Sequence, residues 1–154
     1  MANEQADPEH ESAGAWAKKY HLASRMVMES ALRPYDLGPT QWYVLYQLAT
    51  VGPTAQRDLV RLLQVERATL SGVVAALVRK GLVAQATDPT DQRQKRLTIT
   101  PAGAALWREL PDPIALIHSV AFDGVPPADI ETTARVLRAA TGRLADHLSE
   151  GNET

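Results

Sequence analysis

The chain of 154 residues contains no cysteine. That excludes disulfides, thiolate metal sites and thiol-based redox switches. No apolar run approaches the ~20 residues needed to span a bilayer. The first eleven residues are acidic and polar, so they do not read as a signal or transit peptide, and the expected location is cytoplasmic. Catalytic signatures are missing too. There is no Gly-rich phosphate loop, no G-x-S-x-G elbow and no tight carboxylate pair outside Glu9 and Glu11 of the leading segment. The four histidines, at 10, 21, 118 and 147, form no H-x-x-H or H-x-x-x-H pair. A zinc site would have to be assembled from distant His21 and His118. The chain reads as a non-enzyme without cofactor or metal.

What is present suits one globular domain with a sizeable core, since 45% of residues are hydrophobic and 22% charged. The net charge of −2 is unevenly spread. Residues 54–100 hold eight basic and four acidic residues, a net of +4, while residues 1–15 carry four acidic residues and no basic one. A basic middle between acidic ends fits a polyanion partner as well as it fits scattered solvated charge.

Helical signals dominate the pattern. Residues 1–11 read as a disordered acidic tail. Ser12 is placed to cap a helix to about Arg33, with Trp16, Tyr20, Ala23, Val27 and Ala31 on one stripe. Pro34 ends it. A second helix is expected from Gln41 to Thr50, with Trp42, Val44, Leu45 and Leu48 inward. Thr54 is expected to cap a short helix over 55–63, followed by a turn at Gln64-Val65 and a helix over 66–80 that buries Leu70, Val73, Val74 and Leu77. Two short helices joined this way make a helix-turn-helix. A β-hairpin follows, with strands near 82–86 and 95–99 and a tip rich in turn formers and positive charge. Thr100-Pro101 opens a helix toward Leu110, and Asp112-Pro113 opens another to Phe122. A last helix is expected from Pro126-Pro127 to about Leu148, with Ile130, Ala134, Leu137, Thr141, Leu144 and Leu148 on one face and a frayed tail over 150–154.

The tip and its flanks carry a family resemblance. Asp88-Pro89-x-Asp91-x-Arg93, then Leu97-Thr98-x-Thr100-Pro101-x-Gly103, resembles the wing of the MarR family of bacterial transcription regulators, with the Leu-Thr pair early and Ile99-Thr100 at the family's Leu-Thr position. The family pattern is D-P-x-D-x-R, a short strand, then L-T-x-x-G. The likeness extends over about residues 12–149, because helix order and spacing also fit. It implies a mainly α fold with a small β-hairpin wing. The winged helix-turn-helix would occupy about 40–100, between dimerisation helices at about 12–33 and 101–149.

The resemblance further implies a homodimer on a near-palindromic double-stranded DNA operator. The helix over 66–80 would enter the major groove and the wing the adjacent minor groove. Glu66, Arg67, Thr69 and Ser71 are the candidate contacts on the helix. Arg67 suits guanine, while Thr69 and Ser71 suit phosphate or a thymine methyl. This helix departs from the family pattern, with Glu66 where Ser is common and Gly72, Ala75 and Ala76 on the outer face. On the wing, Arg93 is expected in the minor groove, oriented by a fork from Asp91, with Lys95 and Arg96 on phosphates. Each of these residues also has a plain reading as solvated surface.

A crevice for a small aromatic ligand is implied by the same likeness, with His21, Arg25, Tyr43, Tyr46 and His118 as candidate lining. Core packing for Trp42 and an Arg25–Glu29 helix pair are the simpler alternatives. The apolar stripes of the first and last helices could pair across a two-fold axis or with each other inside one chain. The expected function is a repressor released by a ligand. A winged-helix protein-interaction module and a metal-responsive regulator stand beside it.

Overall fold

The structure is a computed structural model that describes residues 11–151. The acidic tail expected over 1–11, with His10 and Glu9, falls almost wholly outside these residues. The chain divides into two compact units, one through Ile114 and one from Ala115 onward, where length alone predicts a single domain.

The first unit opens with α1, Ala13–Leu32, and the Ser12 hydroxyl accepts the Ala15 N–H at 3.1 Å, satisfying one orphan amide of the first turn. Pro34 ends the helix in a 3₁₀ turn, Arg33–Tyr35, and Asp36 closes it in the left-handed region at φ 55°. Helix α2, Pro39–Thr50, begins two residues earlier than periodicity predicts. Pro39 needs no amide partner at the first helical position, and the Gln41 side chain accepts the Gly38 N–H at 3.2 Å. Its buried residues include Trp42, Val44, Leu45 and Leu48, as the spacing predicts.

The first correction lies at Thr54. It does not cap the next helix. Thr54–Ala55 forms a two-residue strand, β1, and α3 starts at Gln56 and runs to Leu63. The Thr54 hydroxyl is committed elsewhere, donating to the Gly52 carbonyl at 2.9 Å and accepting from Gln47 at 3.5 Å. Gln64, left-handed at φ 50°, turns the chain into α4, Arg67–Arg79. Leu70, Val74 and Leu77 are buried, whereas Val73, expected on the same stripe, is only half-buried. Lys80 then bonds to the backbone and side chain of Asp36, tying the end of α4 to the entry of α2.

The wing strands are β2, Val83–Thr87, and β3, Lys95–Ile99. They pair antiparallel from Val83 opposite Ile99 to Thr87 opposite Lys95. β1 adds to the other edge of β3, with Thr54 opposite Leu97, so the expected hairpin is a three-stranded sheet. Thr100 caps α5, Pro101–Glu109, accepting the Gly103 N–H at 3.0 Å and donating to the Gly81 carbonyl at 2.6 Å. One hydroxyl therefore joins the exit of α4 to the start of α5. The side chains of Leu32, Val44, Leu45, Leu59, Leu70, Val74, Leu77 and Leu97 are fully buried and form the core.

Helix α6, Pro113–Ala121, crosses the boundary between the units, and the Asp112 carboxylate accepts the Ile114 N–H at 3.0 Å. Helix α7 is Pro127–Gly151, so the fraying expected from Glu150 does not begin there. Among the described residues, no helix is long and apolar enough to cross a membrane.

Gly72 lies in the interior of α4 with open space where a Cβ would stand. Gly72→Ala is expected to stabilise the chain by about 1 kcal/mol through helix propensity. Thermal melts should show a midpoint raised by about 2–4 °C for a domain of this size.

Candidate nucleic-acid interface

The amino end of α4 is open to solvent. Glu66 has extended backbone, but its side chain makes no capping bond, so the first amides of the helix have no side-chain acceptor there. Such an end is suited to an anion. Arg67, Thr69 and Ser71 are exposed on the first turns, next to the small exposed residues Ala68, Gly72 and Ala75. Ala76 is half-buried, so it does not belong to the outer face.

The wing tip is built from two aspartate turns in succession. Asp88 accepts the Thr90 N–H at 2.9 Å and the Thr90 hydroxyl at 2.7 Å. Asp91 accepts the Arg93 N–H at 3.0 Å. Two backbone bonds close the loop, Asp88 N–H to Gln94 at 2.8 Å and Gln94 N–H to Asp91 at 3.0 Å.

This corrects the fork expected between Asp91 and the Arg93 side chain. The short aspartate reaches the amide two residues on, as turn-forming aspartates do. Among the described residues, no ion pair or hydrogen bond engages the Arg93 guanidinium. It stands exposed on a tip whose backbone is fixed. Lys95 and Arg96 are exposed at the start of β3, next to the tip.

The two bonds from Thr90 hold the Asp88 carboxyl below its ordinary pKa, helped by the charge of Arg96. A carboxylate with a depressed folded-state pKa stabilises the fold at all pH values above the ordinary aspartate range. That contribution fades as pH falls through the lowered value. In a pH titration followed by NMR, the Thr90 amide should keep its hydrogen-bonded shift through the ordinary aspartate range and lose it only below. Titration of that amide at the ordinary midpoint would contradict the turn.

Two residues that sequence reasoning did not single out join the interface. The Gln56 amide donates to the Ser71 hydroxyl at 3.3 Å, and Gln85 donates to the Gln56 carbonyl at 2.7 Å. A chain of side chains thus runs from β2 through the first turn of α3 to α4. Nothing in the local sequence marks these glutamines.

Of the residues expected around a ligand, Tyr46 borders a cavity within the first unit. Trp42 is core, as expected, with Tyr43 edge-on at 5.1 Å and Tyr46 stacked at 5.3 Å. Trp107 of α5 lies 5.4 Å from Trp42. Tyr46, Trp42 and Trp107 border a cavity of 320 Å³ that also meets Leu110 and Asp112. Among the described residues, the Trp42 indole N–H is buried without a hydrogen-bond partner.

Arg25 pairs with Glu29 at 3.3 Å, the simpler of its two readings. Burial raises the pKa of the Tyr43 phenol, while Arg25 lowers it and Tyr20 raises it further. His21 does not border the cavity, and its backbone carbonyl accepts from Ser24. His118 lies in the second unit, edge-on to Phe122 at 5.3 Å. Among the described residues, no group of three His, Asp or Glu is arranged to hold a metal ion.

A family model described as MarR family matches residues 35–94, from the turn before α2 to the wing tip. Over its winged-helix region this chain is thus similar to the MarR family. The chain is 33% identical over 89 residues to the HTH-type transcriptional repressor NicR of Pseudomonas putida, covering 58% of this chain and 56% of that protein. It is 31% identical over 91 residues to the HTH-type transcriptional regulator YwoH of Bacillus subtilis, covering 57% of this chain and 66% of that protein. The matches thus span less than two thirds of either relative.

Similarity to solved MarR-like structures is longer. The structure of BpsR from Bordetella bronchiseptica, whose DNA binding is regulated by 6-hydroxynicotinic acid, aligns at a TM-score of 0.76 with 26% identity. That alignment covers 86% of this chain and 94% of BpsR. MepR of Staphylococcus aureus, solved as a DNA complex, aligns at 0.77 with 19% identity, over 86% of this chain and 98% of MepR, a likeness of fold.

Proposed function

We propose that this chain is a dimeric, DNA-binding transcription repressor released by a small aromatic ligand. The observation that carries the reading is the uncommitted Arg93 guanidinium on a wing tip braced by Asp88 and Asp91, alongside an exposed α4 amino end. A guanidinium suits the concentrated negative potential of a narrow minor groove, and the open end of α4 suits the major groove. Arg67 then reads a base edge, Thr69 and Ser71 meet phosphate or a thymine methyl, and Lys95 and Arg96 meet phosphates. Glu66 sits where its charge disfavours a phosphate and favours a cytosine amino group. A cytoplasmic location accords with this role.

Dimerisation accords with the apolar surface each unit leaves uncovered. In the first unit, Trp16, Tyr20, Met26 and Val27 of α1 are exposed, and in the second so are Leu137, Leu144 and Leu148 of α7. A second copy of the chain covers them, and the pair reads a near-palindromic site.

Release is assigned to the cavity beside Trp42, Tyr46 and Trp107, whose size suits a single aromatic ring system. Regulation of BpsR by 6-hydroxynicotinic acid supports that ligand class. A ligand acts there only by binding one dimer geometry better than another.

The test is fluorescence anisotropy of the full chain on a duplex selected from a random pool, against a scrambled duplex over a salt series. Selective binding that weakens steeply with salt is expected. Absence of binding to either duplex at low salt would overturn the reading in favour of a protein-interaction module. Titrating 6-hydroxynicotinic acid should quench tryptophan emission and release the duplex together. Quenching without release would remove the regulatory role of the cavity.

A further inference from the structure

The three-residue chain Gln85, Gln56 and Ser71 has a direction. Gln56 is the first residue of α3, Ser71 lies one turn into α4, and Gln85 sits mid-strand in β2 opposite Leu97. The Gln56 carbonyl is occupied by the Gln85 amide at 2.7 Å, which turns the Gln56 amide group toward Ser71. Ser71 therefore accepts a hydrogen bond, at 3.3 Å, and its own proton remains available. A serine inside a helix commonly spends that proton on the carbonyl four residues back. Thr133 and Thr141 of α7 do so here, at 2.8 Å each, and Ser71 does not.

We propose that Gln56 is a positioning residue, which, held by Gln85, keeps the Ser71 hydroxyl as an outward hydrogen-bond donor to DNA. The donor suits a phosphate oxygen or a base acceptor in the major groove. The same bridge fixes β2 of the wing relative to α4, so the two reading elements meet the duplex in one register. This rests on the DNA-binding reading. It names the residues that orient one contact of that site, none of which carries charge.

A double-mutant cycle on the selected duplex tests it. Ser71→Ala should weaken binding about fivefold, the loss of one net hydrogen bond. Gln56→Ala should weaken it by about threefold to fivefold in the wild-type background and not at all in the Ser71→Ala background. Gln85→Ala should be smaller and silent once Gln56 is removed. Melting temperatures should stay within error of wild type, because all three residues are exposed or half-buried. The salt slope should be unchanged, because no phosphate-neutralising charge is removed.

Equal losses for Gln56→Ala in both backgrounds would overturn the proposal and make Gln56 a structural residue or a direct contact. A lowered melting temperature with lost binding would do the same. Failure of the wild-type chain to bind any duplex would overturn the DNA reading itself and the bridge with it. Tight wild-type binding with additive losses removes the bridge alone.

Discussion

Arg93→Ala should weaken binding to a selected duplex by about tenfold or more and reduce the slope of log affinity against log salt by about one. Its guanidinium has no partner within the described residues, so removing it leaves no buried group stranded and no ion pair broken. The wing backbone should persist, because Asp91 holds the Arg93 amide and not its side chain. The melting temperature is accordingly expected to be unchanged, which separates lost contact from lost structure. Arg93→Lys should recover the charge and most of the salt slope, but not the full affinity, since an ammonium lacks the planar fork. Anisotropy over a salt series with the three proteins decides the matter. Equal affinity for Arg93→Ala and wild type would remove the wing from the interface.

Gly103→Ala should be the most destabilising of the glycine-to-alanine changes, since it alone of the glycines has backbone where a Cβ would stand. Gly103 is buried in the first turn of α5, where its backbone presses on the start of β2. A Cβ there would overlap the Leu82 carbonyl oxygen and stand 2.8 Å from the Ile99 side chain. The obstacle is backbone, so no rotamer change relieves it. The Leu82 carbonyl is also committed as acceptor to the Thr100 N–H at 3.1 Å. Moving it would loosen the junction that Thr100 makes between α4, β2 and α5.

The expected loss is about 3 kcal/mol, at the upper end of overpacking effects. A fall of roughly 6–12 °C in melting temperature corresponds to it. Gly72→Ala is the matched control, since it adds the same methyl to open space and should shift the midpoint the other way. A neutral Gly103→Ala would mean that α5 is free to move away from the sheet. The glycine of the wing motif thus has a packing reason, close approach of two backbones.

The parts of this fold that depend on neighbours in sequence were legible. Ser12 and Thr100 cap as their positions predict, Pro101 starts α5, and the turn formers Asp88-Pro89 and Asp91 separate two strands. Parts that depend on distant neighbours were not. A two-residue strand has no periodicity, so β1 exists only because Leu97 and Arg96 offer it an edge, and Thr54 looked like a cap. Aspartate two residues before an arginine suggested a side-chain pair, but the nearer amide competes better for a short carboxylate.

Gln56, Gln85 and Ser71 meet only in three dimensions. The lining of the cavity has the same origin, because periodicity places Tyr43 and Tyr46 on one helix face but cannot bring Trp107 beside Tyr46. Periodicity marks the stripe on α1 as apolar. Periodicity does not say what covers it, and within the chain Trp16 and Tyr20 remain exposed.

The small strand β1 has a consequence for the order in which the molecule assembles. Its two residues pair with β3 across the whole helix-turn-helix, so α3 and α4 lie inside a loop that the sheet closes. Closing that loop is a non-local event and slow compared with helix formation. Leu59 of α3 and Leu97 of β3, on either side of that closure, are both fully buried in the core. Hydrogen exchange should therefore protect β3 amides and α4 amides with the same free energy, as one cooperative unit. A chain ended within residues 88–94 would retain α4 and lose β3, the strand whose pairing with β1 closes the loop around the helix-turn-helix.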